Sequence, residues 1–149
     1  MGKNPNEEAR VMMLCEEAHD LRMKLTEIFY GPSGTSQEER KHFAETILFD
    51  HLKRFDSYFG KCNTKFAVGD TPTVADFQLF SYIDTSLTLD EEHILINTFS
   101  NIKRYLKTIR ELPEIKDYIV KSHAQYPVNN KSEYHMIVLI ICFLSVFSG

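Results

Sequence analysis

The sequence predicts an all-α fold, a helical bundle, and three observations predict it. Apolar residues recur at three- and four-residue steps along most of the chain, the spacing of one helix face. Pro and Gly fall at the joints between these periodic segments, as in helices linked by short turns. No stretch alternates apolar and polar residues in the two-residue period of a half-buried strand.

The first helix is expected over residues 7–30, where Val11, Leu14, Cys15, Ala18, Leu21, Leu25 and Ile28 form one buried stripe. Gly31 is expected to supply the left-handed turn that ends it, and Pro32 cannot continue it. A second helix starts at Thr35 or Ser36, where Ser36 and Glu39 have capping-box spacing. Its stripe is Phe43, Ile47, Leu48, Leu52, Phe55, Tyr58 and Phe59, and Gly60 is expected to end it. Residues 61–72 read as a loop. The third helix, residues 73–86, carries Val74, Phe77, Leu79, Phe80 and Ile83 and few charges, the composition of a central helix. A short helical stretch follows at 91–97. Ser100 is then expected to cap a helix bearing Ile102, Tyr105, Leu106, Ile109 and Leu112. Pro113 suits the first turn of a last short helix, residues 114–121.

Composition narrows the function. A chain of 149 residues, 43% apolar and 26% charged, fits one soluble globular domain. The formal charge of −4, with basic and acidic residues interspersed, offers no surface for a phosphate backbone, so nucleic acid is not an expected partner. Cys15, Cys62 and Cys142 lack the spacing of a metal or redox motif, and no metal is expected. Their odd count reads as reduced thiols in a cytoplasmic protein, and the polar start lacks the apolar stretch of a signal peptide. Residues 136–147, MIVLIICFLSVF, are uncharged and apolar. A membrane span needs about 20 such residues, so insertion is not expected, and 132–149 reads as a divergent tail.

The most specific segment is FAVGDTPTVADFQLFSYID, residues 66–84. Gly69 and Asp70 make a turn. Thr73 is an N-cap whose hydroxyl can accept from the Asp76 amide, while the Asp76 carboxylate reaches back to the Thr73 amide and suits the positive end of the helix dipole. The string Gly69-Asp70-x-x-Thr73-x-x-Asp76-Phe77 resembles the capping motif of the central helix in the C-terminal domain of glutathione transferases. In that family it is a folding signal, and Thr73 and Asp76 are therefore structural caps. Residues 98–122 resemble the late helices of the mu and sigma classes. Ile28-Phe29-Tyr30-Gly31-Pro32 resembles the end of the first mu-class helix. The likeness covers residues 7–131, nearest to mu, with sigma second.

The resemblance implies a function. Glutathione is the co-substrate of the intact family, with no tightly bound cofactor, and hydrophobic electrophiles are the small-molecule partners. The first helix lines the electrophile pocket, which assigns His19, Arg22, Met23, Thr26 and Tyr30 to that lining. These positions are spaced by three and four and share one face, distinct from the buried stripe. Tyr30 matches a tyrosine whose hydroxyl stabilises oxygen charge in the transition state, a catalytic role. Asp20 matches an aspartate that reaches the glutathione amino group bound by the other subunit of a homodimer formed through the first two helices. On spacing alone Asp20 and Lys24 also make an (i, i+4) surface pair. The family's thiolate-stabilising tyrosine belongs to a thioredoxin-like domain, and no βαβ pattern precedes Glu7. The chain is thus expected to be the electrophile-binding half, with an interaction module or a carrier of apolar ligands as the alternatives.

Overall fold

The computed structural model describes residues 2–31 and 36–123, so the 132–149 tail lies outside the described residues. Those residues form helices and turns with no strand among them. The helices are α1 (Pro5–Tyr30), α2 (Gln37–Phe43), α3 (Phe49–Lys61), α4 (Val74–Ser86), α5 (Ile94–Thr98), α6 (Ser100–Arg110) and α7 (Pro113–His123). A π-helical turn, Ala44–Leu48, joins α2 to α3, and a 3₁₀ turn, Leu87–Leu89, follows α4.

Helix α1 begins two residues earlier than its stripe suggests. Asn4 Oδ1 accepts from the Glu7 amide at 3.0 Å, and Pro5 occupies the first helical turn. The expected stripe is buried throughout, except that Cys15 is half-buried. Gly31 ends the helix differently from expectation. Its φ of −82° is ordinary extended backbone, and a Cβ there would lie 2.4 Å from the Glu27 carbonyl oxygen. Close approach, not a left-handed conformation, requires glycine here.

The second predicted helix is bent out of phase by the π turn. Five residues fill Ala44–Leu48, the Phe49 amide donates back to the Ala44 carbonyl, and Ile47 is turned outward at 41% exposure. Ser36 caps α2 as expected, accepting from the Glu39 amide at 3.1 Å. The far end runs through Gly60 to Lys61.

Helix α4 is central, packed along α1 on one side and against α6 on another, while α3 lies along α6. Leu79 and Ile83 are fully buried there. Burying one such side chain contributes about 1.5–3 kcal/mol, which sets the scale of the core. The segment between α3 and α4 is more than a connector, since Phe66, Ala67 and Val68 are all buried. The short helix expected at 91–97 is α5, displaced to Ile94–Thr98.

The start of α6 overturns the capping assigned to Ser100. Ser100 is already helical and exposed, and the free amides are taken by Asp56 of α3. Its Oδ1 accepts from the amides of Asn101 at 2.8 Å and Ile102 at 3.0 Å, and Oδ2 accepts from Asn101 Nδ2 at 3.0 Å. A carboxylate on the neighbouring helix satisfies these donors more strongly than a hydroxyl could.

Candidate functional site

The face of α1 that flanks its buried stripe is the candidate site. His19, Asp20, Met23, Thr26 and Tyr30 are exposed along it and Arg22 is half-buried. Met23 and Tyr30 are large apolar surfaces left at 47% and 50% exposure. One continuous helix holds all six, and the three- and four-residue spacing of His19, Arg22, Met23, Thr26 and Tyr30 places those five on adjoining turns of one face.

The hydrogen bonding of this face defines what it can offer. The Thr26 hydroxyl donates to the Arg22 carbonyl at 3.0 Å, which leaves it only as an acceptor toward a ligand. Lys24 pairs with Glu27 at 3.2 Å, so the Asp20–Lys24 pair allowed by spacing does not form. Arg22, His19 and Tyr30 make no side-chain ion pair among the described residues. A guanidinium, an imidazole, a thioether and a phenol are therefore available side by side.

Beside Asp20 lies a polar group that the sequence did not single out. Arg54 Nη2 bonds His51 Nδ1 at 2.9 Å, and Arg54 Nε lies 3.6 Å from Glu17 Oε2. His51 is buried, and burial followed by the Arg54 charge pushes its pKa below the usual 6.5. The ring is thus neutral, with Nδ1 as the acceptor. Glu17 and Arg54 join α1 to α3, and their only legible signal was the i, i+3 placement of His51 and Arg54.

The capping residues Thr73 and Asp76 lie away from this face, in the core. The box closes. The Thr73 amide donates to Asp76 Oδ2 at 2.8 Å, the Thr73 hydroxyl to the same oxygen at 3.0 Å, and the Asp76 amide to the Thr73 carbonyl at 3.1 Å. Asp76 Oδ1 also accepts from the Ala67 amide at 2.8 Å and from Tyr105 Oη at 3.0 Å. Burial pushes the Asp76 carboxyl above its ordinary range, and these bonds pull the other way. Tyr105 is raised by burial and then by Asp76, so its hydroxyl stays a donor. Every polar atom of Asp76 is engaged internally. It holds a loop, a cap and α6 together and has nothing left for a ligand.

An all-α domain with a buried Thr-Asp capping box and an open polar face on its first helix defines a class, and comparison with known proteins identifies it. A family model for the glutathione S-transferase C-terminal domain matches residues 19–122. The chain belongs to that family. The class-mu 26 kDa isozyme 1 of Fasciola hepatica is 30% identical over 130 residues, covering 87% of this chain and 56% of that protein. Glutathione S-transferase 2 of Onchocerca volvulus is 27% identical over 135 residues, covering 89% of this chain and 62% of that one. The structure of the Onchocerca volvulus Pi-class glutathione S-transferase matches with a TM-score of 0.75 at 27% identity, covering 87% of this chain and 61% of that one. The chain therefore spans 56% to 62% of the length of these relatives. Among the described residues no helix is long and apolar enough to cross a membrane.

Proposed function

We propose that residues 7–131 are the electrophile-binding and dimer-forming half of a mu-like glutathione transferase acting in the cytoplasm. In the assembled enzyme, glutathione thiolate attacks an electrophilic carbon. A carbon–sulfur bond forms, and the displaced electron pair goes to the leaving group or, for an epoxide, to its oxygen. His19, Arg22, Met23, Thr26 and Tyr30 form one wall of the electrophile site. The Tyr30 hydroxyl donates to the oxygen on which charge develops, and a neutral phenol is a suitable donor there. Asp20 reaches the ammonium group of the glutathione held by the partner subunit, a charge-assisted contact. The homodimer forms through α1 and the α2–α3 helix.

One observation carries the reading. The open face of α1 keeps Met23 and Tyr30 exposed and leaves Arg22 without an ion pair among the described residues, in a chain whose family is that of the glutathione transferase C-terminal domain. A mu-class relative at 30% identity supports the mu-like assignment. The test joins the chain at Glu7 to a mu-class thioredoxin-like domain. This chimera is expected to dimerise and to conjugate electrophiles, whereas the chain by itself is expected to be helical, near-inactive and not retained on immobilised glutathione. A monomeric, inactive chimera with an intact thiolate site would contradict the proposal.

A further inference from the structure

A cleft of about 520 Å³ opens on a different part of the molecule, between the α2–π–α3 helix and residues 88–95. We propose that it is a binding site for small organic cations with an apolar body, separate from the electrophile-lining residues of α1. Its volume lies within the roughly 300–1,000 Å³ of small-molecule sites.

The π turn shapes one wall. Residues five apart lie about 140° apart around an α-helix. Across a π turn, with its i→i+5 bond, they fall close to one full turn apart. Ala44 and Phe49 are joined by such a bond and both line the cleft. Phe49 is further held by a tilted ring contact with Phe99, centroids 5.3 Å apart. Leu89 and Leu95 supply the opposite apolar wall, and Ile94 sits there at 58% exposure.

That opposite wall is braced. Asp90 is buried, and its carboxylate accepts from the amides of Leu95 at 3.1 Å and Ile96 at 3.0 Å. His93 takes a left-handed φ of 56° to let the chain turn into α5. Gln37 Nε2 ties α2 to this wall through Glu91 Oε2 at 3.3 Å.

Charge selects the ligand. Five carboxylates and two basic side chains line the cleft. Lys41 lies 3.9 Å from Glu45, and Arg40 already has an interaction of its own. Glu38 and Glu92 make no ion pair among the described residues, so the cleft carries uncompensated negative charge beside an apolar floor. A low-dielectric wall focuses that field on an entering cation and repels an anion.

Berberine, a planar organic cation that fluoresces on desolvation, is the probe, titrated into the full chain. Saturable 1:1 binding is expected, weakening as salt rises because rim charges are screened. Ile94→Lys sets an ammonium group in the cleft without disturbing the core and is expected to weaken binding about tenfold or more, equivalent to about 1.4 kcal/mol. The paired change Glu38→Gln with Glu92→Gln is expected to lower affinity and flatten the salt dependence. It carries the test if Ile94→Lys loses the far-UV helical signal. The anionic dye anilinonaphthalene sulfonate should not be displaced by berberine. Absence of saturable berberine binding, binding unchanged in the variants, or mutual displacement of the two dyes would overturn the proposal.

Discussion

Helices α4 and α6 both begin on an aspartate, yet the two aspartates act over different distances. Asp76 lies in the first turn of the helix it caps, bonded to Thr73 three residues back. Asp56 lies on α3, 45 residues before the Asn101 amide it receives. A local cap fixes where one helix starts. A remote cap fixes where one helix starts relative to another, so Asp56 sets the register of α3 against α6. Asp76 does both, because its second oxygen gathers the Ala67 amide and the Tyr105 hydroxyl into the core.

The comparison predicts a ranking. Asp76→Ala strands the Ala67 amide and both the amide and the hydroxyl of Thr73 in a dry core, while the Tyr105 hydroxyl keeps the main-chain carbonyl of residue 76, and the change is expected to cost about 3–5 kcal/mol. Urea denaturation followed by circular dichroism measures it. Asp56→Ala leaves its donors only partly buried and nearer water, so about 1–3 kcal/mol is expected by the same assay. If Asp56→Ala proved the costlier change, register between helices would matter more than the buried box. Ser36→Ala removes an exposed local cap and is expected to cost about 1 kcal/mol.

A smaller effect depends on pH. His51 is held neutral by burial and Arg54, so the unfolded chain binds a proton there more readily than the folded one. Stability from this site is fully present above about pH 6.5 and is lost as pH falls from that value toward the lower folded pKa. His51→Gln can still accept from Arg54 and does not titrate. It is expected to lessen the fall in melting temperature between pH 7 and pH 5.5. Equal slopes in both proteins would remove His51 from the account.

The two caps also show what was legible in the sequence. The Thr73–Asp76 box, the Ser36 cap and the α1 stripe depend on residues three or four apart, and their spacing is visible in one dimension. Asp56 could not be paired with Asn101 from the sequence, because only the packing of α3 on α6 brings them together. The same reason hid the burial of Phe66, Ala67 and Val68 in a stretch that reads as loop. The π turn was hidden differently. Phe43, Ile47, Leu48 and Leu52 fit α periodicity well, and the outward turn of Ile47 came only with the structure. On the α1 face, spacing revealed that His19, Arg22, Met23, Thr26 and Tyr30 share a side. It could not say what chemistry they serve, and there the family resemblance carried the assignment.

The α1 face should be the least sensitive region in stability and the most sensitive in function. Tyr30→Phe and Asp20→Asn are surface changes, expected to alter stability by no more than about 0.5 kcal/mol. Their kinetics in the chimera with a mu-class thioredoxin-like domain test the central claim most directly. Tyr30→Phe should lower kcat/KM for epoxides, by up to about 2.7–4 kcal/mol if the hydroxyl is a principal donor, and leave substrates without a developing oxyanion nearly unchanged. Asp20→Asn should raise KM for glutathione with every electrophile alike. Identical losses on all substrates from both changes, or no loss from either, would contradict the assignment of this face to catalysis.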